Sequence, residues 1–160
     1  AAPGWVTVRR AFRAGDVVEL VLPMRPRLTH PDPRIDAVRG SVAVERGPEV
    51  CCLESVDLDR ASHGTVTDVA DVRIDTTAGV DDQDGRPLVR LVAAPGAGRD
   101  RPWPYAERPL EPAPSVTFDV PLIPYHEWAE RGPSTMRVWL PVATPPVTAD
   151  TTDDQGSAQS

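Results

Sequence analysis

The feature that most constrains the fold is the lack of a sustained helical pattern. Apolar residues instead alternate with polar ones in short runs, as in Asp16–Pro23 and Gly40–Gly47. This spacing is typical of strands that bury one face. The 160 residues include 19 prolines and 11 glycines, which mark turns between the runs. The pattern predicts an all-β fold, a jelly-roll-like antiparallel β-sandwich of about eight strands.

The predicted elements follow these runs along the chain. Residues 25–39 and 95–114 are predicted to be irregular, 81–85 to be an acidic turn, and 126–131 to form about one helical turn. We expect one sandwich domain at 1–144 and a disordered tail at 145–160, because the tail lacks large apolar residues. The predicted strands are 5–10, 16–23, 40–47, 49–55, 72–75, 87–94, 115–123 and 135–142.

Charge and hydropathy exclude several classes of function. The net charge of −7 and the shortness of the few basic clusters argue against a surface that binds nucleic acid. No run approaches the ~20 apolar residues that a membrane span needs. The beginning of the sequence lacks the charged-then-apolar pattern of a signal peptide. We therefore predict no nucleic-acid partner and no membrane partner, and the sequence does not assign a compartment.

Cys51 and Cys52 are adjacent and are the only cysteines. Neighbouring side chains of a strand point to opposite faces, so two strand cysteines diverge. A shared metal needs converging thiolates and further ligands, whereas the three histidines are scattered. A catalytic thiolate needs a nearby base or cation in a cleft. We interpret the pair as structural and predict no catalytic, cofactor-binding or metal-binding residue in this chain.

Two other residue types could carry chemistry. Pairs of carboxylates could serve a glycosidase, but 24 acids in a small domain form such pairs by chance, and nothing selects one pair. Aromatic residues in two proline-containing loops could contact a sugar, plug the end of the sandwich, dock against another domain, or pack under a bend while Arg131 ties the turn to a carboxylate. The candidate interface or sugar-contact residues are Trp103, Tyr105, Tyr125, Trp128 and Arg131.

Three stretches carry a resemblance to a known family. They are "GWVTVRRAFRAGDVVELVLPM" (4–24), "GSVAVERGPEVCCLESVD" (40–57) and "PLIPYHEWAERGPSTMRVWLP" (121–141). In this order and spacing they resemble the C-terminal part of glycoside hydrolase family 127, the β-L-arabinofuranosidases and related proteins. The resemblance spans nearly the whole predicted folded part.

The resemblance implies a larger enzyme with an (α/α)6 barrel that holds a cysteine nucleophile and zinc. Cys51–Cys52 matches a sandwich strand of that family and not its catalytic motif, so no catalytic or zinc-binding residue is carried over. The implied function is a non-catalytic domain that supports the barrel of the same polypeptide and contributes to a homodimer. The alternative left open is an independent carbohydrate-binding module that uses exposed aromatics. Zinc is expected in the catalytic domain outside this chain.

Overall fold

The computed structural model describes residues 4–94, 105, 107 and 114–143. Its regular structure is ten short strands, one α-helix and four 3-10 turns within those residues. The helix, α1, spans Ser55–Ala61. The strands are β1 Pro26–Thr29, β2 Ser41–Arg46, β3 Glu49–Glu54, β4 Val72–Ile74, β5 Val80–Gln83, β6 Arg86–Ala93, β7 Val116–Pro121, β8 Ile123–Pro124, β9 Met136–Arg137 and β10 Leu140–Pro141.

Two antiparallel sheets form the fold. The first has the order β1-β2-β3-β8, with β10 also paired to β2 and β9 to β3. In the second, β6 pairs with β4, β5 and β7. The predicted all-β sandwich is confirmed, and the strands predicted at 40–47 and 49–55 pair as a hairpin with Val44 opposite Cys51. Gly47 adopts a φ of +57° in its turn, a conformation that glycine tolerates best.

The core lies between the two sheets. It takes alternate residues of each central strand, which is why the sequence alternates. Strand β6 contributes Val89, Leu91 and Ala93, while Arg90 between them stays exposed. From the first sheet and α1 the core receives Val42, Val44, Cys51, Leu53, Leu58 and Leu140.

The structure differs from three local predictions. Residues 5–10 and 16–23 form no strand, and their apolar side chains are exposed. The range 25–39 contains strand β1, which begins at Pro26, a position where the missing N–H is tolerated. The acidic range 81–85 forms most of strand β5 before its turn, because β6 supplies backbone partners for Asp81 and Asp82.

Helix α1 was not predicted from the sequence, and it follows β3 without a linker. The helix has seven residues, of which only Asp57 and Leu58 are buried. A helix this short does not show a helical period in its apolar residues. The predicted turn at 126–131 is a 3-10 turn over Tyr125–Glu127 followed by further turns. Trp103, most of 95–114 and the predicted tail 145–160 lie outside the described residues.

No helix within the described residues is long and apolar enough to cross a membrane.

Candidate functional site

The segment Tyr125–Thr135 carries three of the five candidate residues, and it packs against the junction of β3 and α1. Strand β8 brings the chain to this position by pairing with β3. Backbone bonds hold the other end, because Ser55 N donates to Thr135 O at 2.9 Å and Thr135 N donates to Ser55 Oγ at 3.1 Å. One end of the loop is thus fixed to β3 and the other to the start of α1.

Glu54 is the centre of this attachment. Its side chain is fully buried, and the carboxylate accepts hydrogen bonds from the Ala129 amide at 2.9 Å and the Ser134 hydroxyl at 2.6 Å. Arg131 donates to its other oxygen. Burial alone raises the pKa of Glu54, but the bonds from Ser134, Ala129 and Arg131 outweigh burial and lower that pKa below its ordinary value. The carboxylate is therefore charged at neutral pH.

Arg131 joins two acids at once. It binds Asp57 of α1 through two nitrogens, at 2.7 and 2.6 Å, besides its bond to Glu54. These bonds, first the one to Asp57, raise the pKa of Arg131 further despite partial burial. We call Glu54, Asp57, Arg131 and Ser134 the ion cluster. It matches the alternative in which Arg131 ties the turn to a carboxylate.

Tyr125 and Trp128 form an aromatic pair on the surface of the same loop. Their ring centroids lie 6.4 Å apart with the planes inclined by 25°. Trp128 is 40% exposed and Tyr125 is 47% exposed, so part of each side chain is open to solvent. Glu127 between them binds Arg86 of β6 at 3.2 Å. The loop therefore presents two stacked aromatic side chains, and its ion pairs attach it to β6, β3 and α1.

Of the other two candidate residues, Tyr105 is exposed and Trp103 lies outside the described residues.

Four of the five acids that could be combined into a glycosidase pair, Glu45, Glu54, Asp119 and Glu127, are engaged by arginines, and the fifth, Glu19, lies in the exposed segment before β1. Besides Glu54, Asp119 binds Arg90 at 2.9 Å, and this bond lowers the pKa of Asp119. A general acid needs the opposite, a raised pKa. Glu45 likewise binds Arg27, and Glu127 binds Arg86. The arrangement of these acids favours structure over acid–base catalysis.

An open pocket of about 380 Å³ lies between α1 and the second sheet. Its walls include Asp57, Arg60 and Asp119. Both carboxylates are already ion-paired with arginines. The pocket thus offers no uncommitted acid for chemistry.

The cysteines lie on opposite faces of β3. Cys51 enters the core, while Cys52 lies opposite Ile123 on the other face and is equally buried. Desolvation by burial is the main cause that raises the pKa of each thiol to about 11. Thiols that diverge and stay protonated do not fit a zinc site, which requires converging thiolates. In the described ranges no three His, Cys, Asp or Glu residues cluster as metal ligands do.

Sequence reasoning did not identify Glu54 and Asp57 as the partners of Arg131. The signal was a glutamate at the end of a strand with an aspartate three residues later, at the start of a helix. The two acids lie on one side of the junction only because α1 begins directly after β3, and the sequence does not predict α1. The partners are 74 and 77 residues from Arg131 in sequence.

Comparison with protein families gives a match to the model "Glycoside hydrolase family 127 C-terminal domain" over residues 26–141. Comparison with curated proteins gives no match.

Among solved structures, a glycoside hydrolase is similar with a TM-score of 0.56 and 29% identity over 76% of this chain. A GH127 beta-L-arabinofuranosidase from Geobacillus stearothermophilus T6 is similar with a TM-score of 0.59 and 26% identity, also over 76% of this chain. The match covers only 20% and 19% of those two chains, so this chain spans about a fifth of their length.

Proposed function

Because the chain belongs to the glycoside hydrolase family 127 C-terminal domains, we propose that it is a non-catalytic domain of a larger glycoside hydrolase. The observation that carries this proposal is the extent of the match, because this chain covers only about one fifth of the length of each of two similar enzymes. By its resemblance, the larger enzyme acts on β-L-arabinofuranosides or similar sugars. The zinc and the cysteine nucleophile then belong to its helical barrel.

The chemistry of the described residues supports a non-catalytic role. The cysteines are buried with raised pKa values, and four of the candidate acids are bound to arginines. A nucleophile must reach substrate, which side chains inside β3 cannot do without local opening. The chain's own residues therefore supply a rigid scaffold and leave the chemistry to other parts of the polypeptide.

The proposed role of the scaffold is to support the barrel and to contribute to a homodimer. The aromatic pair Tyr125–Trp128 suits such a contact, because large, partly exposed aromatic rings are enriched in interface cores. The ion cluster fixes the loop that carries them, which lowers the entropy lost on binding.

Two measurements test the proposal. An antibody raised against this chain should detect a native polypeptide several times heavier than 17.3 kDa in the source cells. The purified 160-residue chain should not hydrolyse an aryl β-L-arabinofuranoside, while the native polypeptide should. Hydrolysis by the 160-residue chain that is lost in Cys51→Ala or Cys52→Ala would overturn the proposal.

Carbohydrate binding is the second candidate function, favoured by the exposure of the stacked Tyr125–Trp128 pair. Aromatic platforms of this kind stack on sugar rings. Calorimetric titration with arabinose-containing oligosaccharides should then give saturable binding that Trp128→Ala weakens by about tenfold or more. Trp5→Ala is the matched control, because Trp5 is fully exposed and far along the chain from the platform. Flat titrations across these glycans would remove this candidate.

A further inference from the structure

The segment Trp5–Leu22 is the largest unexplained apolar feature of the described residues. Trp5 is 100% exposed and Leu20 is 76% exposed. Soluble monomers rarely expose a large contiguous apolar patch, and such patches mark interaction sites. Its other exposed apolar residues are Val6, Val8, Phe12, Val17, Val18, Val21 and Leu22.

The centre of the segment already has the geometry of a turn. Asp16 N donates to Arg13 O at 3.0 Å, and the Asp16 carboxylate accepts from Arg13 N at 2.8 Å and from Arg10 at 3.0 Å. Gly15 adopts a φ of +91°, which suits a turn between two strands. The turn is therefore formed by local contacts alone.

Neither arm beside this turn pairs with a strand in the part of the chain that the structure describes. Among the described residues, the bond from Asp16 to Arg13 is the only backbone–backbone hydrogen bond of the segment. Both arms nonetheless have strand sequences, with alternation at 5–10 and β-branched residues at Val17, Val18 and Val21. Extended chain with unpaired backbone groups and apolar side chains is a template for pairing with another strand.

We propose that residues 5–22 are two antiparallel strands that complete a β-sheet in an adjoining region of the same polypeptide. This inference rests on the proposed function, because it requires the larger enzyme. The occupant of the exposed surface is thus a β-sheet of that enzyme, to which the segment adds through main-chain hydrogen bonds.

The apolar pattern of the second arm favours a large sheet. Val18, Leu20 and Leu22 share one face, whereas Val17 and Val21 lie on the other face beside Glu19. The first face is wholly apolar and the second is apolar at two of three positions, so a sheet that buries this strand must be covered on both faces. Pairing of two copies of the segment yields at most four strands with both faces open, so a second copy does not meet this need. The similar enzymes have about four fifths of their length outside the match, which is ample for such a sheet.

The boundary with the sandwich lies at residues 23–26. Pro23 and Pro26 lack the N–H that would continue strand pairing across this connection. The side chain of Met24 packs against Gly47 in the β2–β3 turn, which attaches the chain to the sandwich at this point. The family match also begins at Pro26. The segment is therefore joined to the sandwich without belonging to its sheets. Whether the sandwich domain covers 1–144, as the sequence predicts, is tested by amide hydrogen exchange.

Amide hydrogen exchange on the native polypeptide tests the inference. Peptides from 5–10 and 17–22 should exchange at least about a thousandfold more slowly than unstructured chain, as peptides from β3 do. In the 160-residue chain the same two peptides should exchange at unprotected rates, while those of β3 remain slow. Val18→Asp in the native polypeptide should abolish the protection of 17–22. Ile35→Asp is the matched control, because Ile35 is exposed and lies inside the family match.

The outcomes separate the two proposals. If the native polypeptide is a long hydrolase in which 5–22 exchanges freely, the inference is wrong and the proposed function stands. If the native polypeptide is only 17.3 kDa and 5–22 is protected in a dimer, the partner is a second copy, and both proposals fail. If 5–22 is protected in the long enzyme and not in the 160-residue chain, the result supports both the proposed function and the inference.

Discussion

Strand β3 and the arm Val17–Leu22 have similar sequences and opposite environments. Both are six residues long, rich in apolar residues and preceded by a turn, and β3 contains two glutamates where the arm contains one. In β3, Leu53 and its neighbours Cys51 and Cys52 are buried, whereas Leu20 in the arm is 76% exposed. Strand β3 has backbone partners in β2, β8 and β9, and the arm has none among the described residues. The comparison teaches that a strand sequence specifies a capacity to pair, and that neighbouring strands decide whether it does.

Truncation of a leucine in each region tests this comparison most strongly. Leu53→Ala should lower the free energy of unfolding by about 2–5 kcal/mol, because it leaves a cavity in the core. Leu20→Ala in the 160-residue chain should change it by less than about 0.5 kcal/mol, because the side chain is already in water. Urea unfolding followed by circular dichroism measures both. Equal losses would show that the arm is buried in this chain and break the comparison.

Removal of Arg131 tests whether β3 depends on its ion cluster as well as on its core. Arg131→Ala leaves Glu54 and Asp57 charged and without their counterion, and we expect a loss of roughly 2–4 kcal/mol. The value lies below that of a fully buried pair because Arg131 is 36% exposed, so water screens the cluster in part. Arg34→Ala is the control, since it breaks an exposed bond to Asp32 and should cost about 0–1 kcal/mol. A small loss for both variants would mean that packing alone holds the loop.

The pH dependence of unfolding gives a smaller effect from the same cluster. The folded-state pKa of Glu54 is depressed, so its stabilisation is present above the ordinary value of 4.5 and is lost as the pH falls through the folded pKa. Stability of the wild-type chain should therefore decline below pH 4.5, and Glu54→Gln should flatten that decline. Glu19→Gln in the exposed segment serves as the control and should leave the profile unchanged. A profile that is the same in all three proteins would exclude Glu54 as a contributor.

Thiol labelling compares the two regions without perturbing stability. The pKa of Cys51 and of Cys52 is about 11 and both are buried, so a disulfide reagent at pH 8 should react with them only through opening of the fold. A third thiol introduced by Val18→Cys should react at the rate of a free thiol in the 160-residue chain. The same thiol should be unreactive in the native polypeptide if the arm is paired there. Rapid labelling of all three thiols in the folded chain would contradict the assigned burial of β3.

Much of the sandwich follows from the sequence, because each central strand buries alternate residues and is bounded by turns. Strands β2, β3, β4 and β6 are predicted correctly for this reason. Strands β1 and β5 are missed, because prolines and acidic residues conceal edge strands that depend on a neighbour for their pairing. Helix α1 is missed because it is too short for a period to appear. Of the site, the loop with Tyr125, Trp128 and Arg131 is found, but its acidic partners are not.

The sequence by itself determines which segments can be strands, that Cys51 and Cys52 diverge, and that no acid pair stands out for catalysis. The tertiary structure alone decides that the second face of β3 is covered, so that both thiols are buried, and that Glu54 and Asp57 meet Arg131. It also leaves the two arms at 5–10 and 17–22 without strand partners among the described residues. The physical reason is range: strand propensity and alternation act between near neighbours, whereas burial and ion pairing depend on residues that only the fold brings together.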